Sequence, residues 1–206
     1  MQNVGVLLLA AGTSSRLQGE VKQLLKVGNK SLLNIAIENA QKVTPENVFC
    51  VLGANAQKIK SQIPCTTCTI IFNANFDKGL SSSIVCGIQY IEKRNPTLNA
   101  VLLLLADQPE VDVTYLSALV EAHQKKPSKI IATSYLNSLG VPAIFPKKYF
   151  KELQLLKGDF GAKMFLKEHC LEVITIQREN SFIDIDTKED YLNYINKLGG
   201  GDKAAF

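Results

Sequence analysis

No stretch of this 206-residue chain stays apolar for the roughly 18 positions that a membrane-spanning helix needs, and no basic segment precedes the apolar run near its start. Both absences argue against a membrane span and a secretory leader, so the expected setting is soluble and cytoplasmic, with no membrane partner. Histidine is scarce, with only His123 and His169. A Ser-His-Asp or Cys-His mechanism therefore has little to draw on, and both histidines are expected at helix-surface or interface positions. The 5 cysteines are an odd number. Cys50 and Cys86 lie in apolar segments, where cysteine behaves as a small core residue. Cys65-Thr-Thr-Cys68 lacks the second ligand pair of a zinc site and the following helix of a thioredoxin-like one. Lys and Arg number 23 against 19 acidic residues, a net charge of +4, with no dense basic run and no interleaved aromatics. That balance suits a small anionic substrate better than a nucleic-acid groove. The Gly-Lys-Ser/Thr of the P-loop and the dinucleotide-binding Gly-x-Gly-x-x-Gly are both missing, so any nucleotide is bound in a third way.

What is present is a globular composition, 46% hydrophobic and 20% charged, in a chain long enough for one well-buried domain. A single domain over 1–198 is expected, with a flexible tail over 199–206. The run Val4-Gly-Val-Leu-Leu-Leu-Ala10 is apolar at every position, the pattern of a strand covered on both faces of a parallel sheet. Directly after it come Ala11-Gly-Thr-Ser-Ser-Arg16 and then Lys22. Backbone N–H groups freed by such a turn, with two cations, form a polyphosphate site, although ordinary turn chemistry accounts for the same glycine and serines. A second fully apolar strand over 99–106 runs into Asp107-Gln-Pro109. An aspartate at the carboxyl end of a buried parallel strand stands where open α/β sheets bind ligands, either capping a turn or holding a hard cation.

Between these landmarks the pattern alternates. Ser31 is positioned to cap a helix over 32–43 that Pro45 stops, and strand 47–53, helix 54–62 and strand 69–73 follow. Gly79-Leu-Ser-Ser-Ser83 offers a turn glycine and serines that can cap a helix over 83–93. Helix 114–125, strands 129–134 and 140–146, strand 172–177 and helix 188–198 complete the chain. Gly158 and Gly161 permit a tight turn in which Asp159 can cap the next helix. Over 182–190 apolar and acidic residues alternate, so in a period-two strand Asp184 and Asp186 point the same way and repel unless a cation or protons intervene. Thr187 and Asp190 read as a helix cap. About seven strands alternating with helices give a three-layer α/β domain with a mostly parallel sheet.

Leu9-Ala-Ala-Gly-Thr-Ser-Ser-Arg16 with Lys22-Gln-Leu-Leu25 resembles the signature loop, L-A-A/G-G-x-S/G-x-R-x-G-x-x-K, of the nucleotidyltransferases that load CTP or GTP onto the molybdenum cofactor. The double alanine is more similar to the cytidylyltransferase branch. Four further segments resemble that family: Gly79–Ser83, Leu105-Ala-Asp-Gln-Pro109, Gly140-Val-Pro-Ala-Ile-Phe145 and Gly158-Asp-Phe-Gly-Ala-Lys163. A paired Asp before a T-x-E-D segment is shared as well. The resemblance implies the Rossmann-like nucleotidyltransferase fold and transfer of CMP from CTP to the terminal phosphate of the molybdenum-pterin cofactor, with Mg²⁺ and release of pyrophosphate.

The same resemblance implies the site. Leu9, Ala10, Ala11, Gly12, Thr13, Ser14, Ser15, Arg16 and Lys22, with Gly79, Ser82 and Ser83, would contact the nucleotide. Asp107 would bind metal with Asp184 or Asp186, Asp184 slightly favoured. Gly140, Pro142, Gly158, Asp159 and Lys163 would face the acceptor, and Arg16, Lys22 and Asp107 would be catalytic. An apo-molybdoenzyme is the implied protein partner. Three departures are visible: the glycine after Arg16 comes one position late, at Gly19; Val141 stands where a histidine is usual; and Lys163 replaces an arginine, keeping the charge but losing the bidentate fork. A guanylyltransferase of the same cofactor, a cytidylyltransferase of sugar or alcohol phosphates, and a non-catalytic cofactor-delivery protein stay open as alternatives.

Overall fold

Val4–Ala10 (β1) is buried at every position and is an interior strand of a seven-stranded sheet. The computed structural model describes residues 3–17, 19–64, 68–136, 138–177 and 182–200. After β1 the chain makes a short ribbon, Lys26–Val27 (β2) with Lys30–Ser31 (β3), and then helix Leu32–Val43 (α1). Val48–Leu52 (β4), Ala56–Lys60 (α2), Thr69–Phe72 (β5), Leu80–Arg94 (α3) and Ala100–Leu105 (β6) follow. Next come Val113–Lys125 (α4), Ile130–Tyr135 (β7), Ser138–Pro146 (β8) and Phe150–Leu153 (α5). Lys163–Glu168 (α6), Val173–Gln177 (β9) and Lys188–Gly200 (α7) complete the described elements. The sheet order is β5-β4-β1-β6-β8-β7-β9, and only β8 runs against its neighbours. The expected mixed α/β architecture is what the structure has. β8 begins only three positions after β7 ends, too soon for the crossover a parallel neighbour requires, and it runs antiparallel.

The fully apolar strands have their residues shared between two cores. Val6, Leu8 and Ala10 pack under α1 and α4, whereas Leu7 and Leu9 pack under α3, α5 and α6. This is why β1 and β6 show no period of two: each side chain, whichever way it points, meets an apolar layer. α3 lies tightly against β1, since a Cβ added at Gly87 would come within 2.4 Å of Leu7. A third, smaller cluster of Leu17, Leu25, Leu32, Ile185 and Tyr194 fastens α7 beside the loop that follows β1.

Several local expectations are corrected. α3 begins at Leu80 with Gly79 as its N-cap and no side-chain cap, so the serines lie inside its first turn. Asp159 does not cap α6, whose N-cap is Ala162. Residues 183–187 form no strand; the segment is instead tied down where the Ile185 N–H donates to the Asp107 carbonyl at 3.1 Å. α7 continues through Gly200, and the remaining tail, 201–206, lies outside the described residues, as does Cys65. Ser31 caps α1 as expected, accepting from the Asn34 N–H at 3.2 Å. Thr187 and Asp190 form the expected reciprocal cap of α7. Among the described residues no helix is long and apolar enough to cross a membrane.

Candidate functional site

β1 and β6 are paired in parallel with Leu9 opposite Leu105, so the two chains leave the sheet side by side. The register puts Asp107 next to the loop that starts at Ala11. The loop is shaped by Ser14, which takes a left-handed backbone (φ 57°). Ser14 Oγ accepts the Lys22 N–H at 2.9 Å. Gln23, 3% exposed, donates to the carbonyls of Ala10 at 3.1 Å and Gly12 at 3.4 Å. These bonds tie the segment at Ser14 and the turn at Lys22–Gln23 to the end of β1 and direct Lys22 toward Asp107. The result is a cleft of about 510 Å³ lined by Leu9 through Arg16, Lys22, Gly79, Ser83, Asp107, Asp159 and Asp186.

At the floor of this cleft Lys22 Nζ lies 2.5 Å from Asp107 Oδ2 and 2.7 Å from Asp186 Oδ1. Arg16, 72% exposed, approaches the other Asp186 oxygen at 3.7 Å. Burial works to lower the pKa of Lys22, but the Asp107 and Asp186 carboxylates outweigh it and hold the ammonium above its ordinary value. Asp107 Oδ1 is buried and has no hydrogen-bond partner among the described residues. Among the described residues no group of three or more His, Cys, Asp or Glu side chains could enclose a metal ion. Any cation here would rest on two carboxylates and take its other ligands from elsewhere.

Asp184 and Asp186 part company. Asp184 accepts from Gln108 Nε2 at 2.8 Å and lines a second cavity of about 350 Å³, while Asp186 stays with Lys22 in the first. Partial desolvation and the nearby Asp107 and Asp186 raise the pKa of Asp184, against the Gln108 hydrogen bond. Lys22 thus bridges Asp107 to Asp186, while Asp184, the slightly favoured candidate, is bonded to Gln108 instead. The second cavity has apolar walls that include Leu139, Val141, Phe160 and Phe182, with Gly140, Lys163 and Asp184 among its other lining residues. Leu9, Leu80 and Leu105 border both cavities.

Not every candidate reaches a cavity. Ser82 is turned to structure, donating to the Gly79 carbonyl at 2.8 Å and accepting from Asn73 at 2.9 Å. Pro142 is buried, its carbonyl accepting from Thr133 at 2.8 Å. Gly158 accepts from the Ser81 N–H at 3.1 Å and lines neither cavity, and Asp159 borders the first cavity, not the second. His123 corrects the surface expectation, being 1% exposed on the buried face of α4. His169 stacks on Phe165 and contacts Glu152 on α5, away from both cavities.

Three polar residues that support the site had no assigned role in the sequence: Gln23, Asn73 and Gln108. Asn73 accepts from the Asn75 N–H and donates to Ser82 and Ser83, which joins the end of β5 to the start of α3. The available clue was a polar residue set within or directly after an apolar run. Such a residue must find partners once the run is buried.

The chain resembles several known proteins over nearly all its length. It is 29% identical to nicotine blue oxidoreductase of Paenarthrobacter nicotinovorans over 88% of this chain and 91% of that protein. It is 28% identical to the purine catabolism protein PucB of Bacillus subtilis over 91% and 93%. A Mycobacterium tuberculosis protein, Rv0371c, crystallised in complex with manganese, superposes with a TM-score of 0.79 at 21% identity over 95% of this chain and 99% of that one. Residues 6–173 match the MobA-like NTP transferase domain, a span that takes in the β1 loop, Asp107 and the second cavity's β7–β8 wall. By that match the chain belongs to the MobA-like NTP transferase family.

Proposed function

We propose that the chain, as one domain over 1–198, transfers CMP from CTP to the terminal phosphate of a molybdenum-pterin cofactor in the cytoplasm and releases pyrophosphate, supplying the product to an apo-molybdoenzyme. The observation that carries the reading is the convergence of a loop of backbone N–H groups, Lys22 and two carboxylates at the carboxyl ends of β1 and β6. In this reading the loop from Ala10 to Arg16 and Lys22 hold the triphosphate, with Gly79 and Ser83 near the nucleoside. Gly140 and Lys163 face the acceptor in the second cavity. An attacking phosphate already carries about −1.5 to −2 charge at neutral pH, so it is a nucleophile without a general base. What the protein must provide is alignment and neutralisation of charge. The reading is supported by the two cavities sharing Leu9, Leu80 and Leu105, so that a ligand in each would meet the other at a common boundary.

Asp107 and Asp186 suit Mg²⁺. Both are hard oxygen donors, Asp107 Oδ1 is unengaged, and a site with two carboxylates leaves positions for phosphate oxygens and water, as Mg²⁺ prefers. When bound, the ion would offset negative charge on the α-phosphate in the transition state. The manganese complex of the mycobacterial relative supports a divalent ion of the same class. Ala10-Ala11-Gly12 favours CTP over GTP by its resemblance to the cytidylyltransferase branch.

The test is pyrophosphate release with the pterin acceptor, each of CTP and GTP, and Mg²⁺, with a sugar phosphate as the competing acceptor. Release with CTP and pterin alone is expected, and Lys22→Ala and Asp107→Ala should each lower the rate by about a hundredfold or more. Nucleotide binding without any release would favour a delivery protein, and full activity in folded Lys22→Ala would end the proposal.

A further inference from the structure

We propose that Lys22 is the resident counter-ion of the Asp107–Asp186 pair, occupying with its own ammonium the position a divalent cation needs, so that nucleotide must draw Lys22 away before the metal can settle. The inference rests on the two-carboxylate metal reading above and adds an order to the filling of the site. Lys22 Nζ lies 2.5 Å from Asp107 and 2.7 Å from Asp186, so one cation already bridges the two oxygens. With its side chain only 15% exposed, the ammonium is not a loose surface partner. Its backbone is fixed by the bond to Ser14 Oγ and by Gln23 beside it, whereas the four-carbon stem that carries the charge can swing.

The charges leave room for one occupant at a time. Two carboxylates with one ammonium between them leave about one negative charge to attract a doubly charged ion. That ion would also have to approach Lys22 within a few ångströms, where like charges repel. The described residues provide no third ligating side chain to compensate. A triphosphate changes both conditions. Its oxygens compete for the ammonium, which lines the same cleft as the phosphate-binding loop, and they supply the ligands the protein lacks. Metal and nucleotide binding are then positively coupled through one side chain, and each must strengthen the other by the same factor. Arg16 does not play this part. It lies 3.7 Å from a single Asp186 oxygen and is mostly in solvent.

The experiment measures Mn²⁺ affinity of the full chain without nucleotide, from the loss of the free-ion electron paramagnetic resonance signal, and CTP affinity in EDTA by calorimetry. Lys22→Met should gain at least about tenfold in Mn²⁺ affinity, the scale expected when a like charge leaves a partly buried site, while losing CTP affinity. Arg16→Gln, which removes the same charge without vacating the bridge, should gain much less. Adding Asp107→Asn to Lys22→Met should abolish the gain. If Lys22→Met binds Mn²⁺ no better than the wild type, or Arg16→Gln gains as much, the counter-ion role is overturned and the metal reading stands. If no variant binds Mn²⁺ even with CTP present, the metal reading falls and takes this inference with it. Lys22→Gln replaces Lys22→Met should the latter fail to fold. The wild type gives an independent check: Mn²⁺ alone should leave its melting temperature unchanged while Mn²⁺ with CTP raises it, and an equal shift with Mn²⁺ alone would also overturn the proposal.

Discussion

Single side chains in this protein owe their chemistry to what surrounds them, and His123 is a clear case. It is 1% exposed, and among the described residues its Nδ1 has no hydrogen-bond partner. Burial pushes its pKa below the ordinary 6.5, against a hydrogen bond to the Lys129 backbone. The sign follows from linkage. Well above pH 6.5 the ring is neutral in both folded and unfolded chains and contributes no pH dependence. Below it the unfolded chain takes up the proton first, so stability falls as pH drops from 6.5 toward the depressed folded value. Melting curves from about pH 7 down to about pH 5 should therefore fall more steeply for the wild type than for His123→Leu. Parallel slopes would mean that His123 is accessible to protons in the folded state.

At the level of elements, the start of α3 meets the turn at 158–159 with no spare space. Gly79 has φ +92°, and a Cβ there would come 2.2 Å from Asp159 Oδ1 and 2.7 Å from the Gly158 carbonyl. Nearby, Ser81 donates to the Lys157 carbonyl at 3.2 Å. Gly79→Ala should accordingly cost about 1–3 kcal/mol in urea denaturation, from backbone strain together with the displaced turn. Gly199→Ala, whose added Cβ meets nothing within 4 Å, should be close to neutral or slightly stabilising. Because Gly79 and Asp159 both border the first cavity, Gly79→Ala should also weaken CTP binding measured by calorimetry, whereas Gly199→Ala should not.

For the whole molecule, the two cores on either face of the sheet and the smaller cluster holding α7 make the folded state the only one that assembles the cleft. The cleft draws on β1, the Lys22 turn, the end of β6 and the segment before α7, which are far apart in the chain. A ligand of that cleft binds the folded chain alone. At about a hundred times its Kd, CTP with Mg²⁺ should stabilise by roughly 2.7 kcal/mol, a rise of about 5–10 °C in melting temperature for a chain of this size. EDTA should remove much of the rise, and Asp107→Ala should mimic EDTA. A rise with GTP but not CTP would move the base preference to the other branch.

Much of this was legible in the sequence because it is local. A run that is apolar at every position is a doubly covered strand wherever it lies, so β1, β6 and the parallel character of the sheet follow from β1 and β6 themselves. The residues directly after those strands are carried to the carboxyl edge by the covalent chain, which is why the loop at Ala11–Arg16 and Asp107 could be placed together. The tertiary structure decided what depends on residues distant in sequence. The choice of Asp186 over Asp184 beside Lys22 came from a segment 164 residues away, docked through Ile185 onto the end of β6. The burial of His123 depended on which face of α4 met the sheet, and the turning of Ser82 into structure depended on Asn73 reaching across from β5. Hydrophobic periodicity records whether a side chain meets an apolar layer. It carries no record of which polar group waits on the other side, because that partner is set by packing between elements and not by spacing within one.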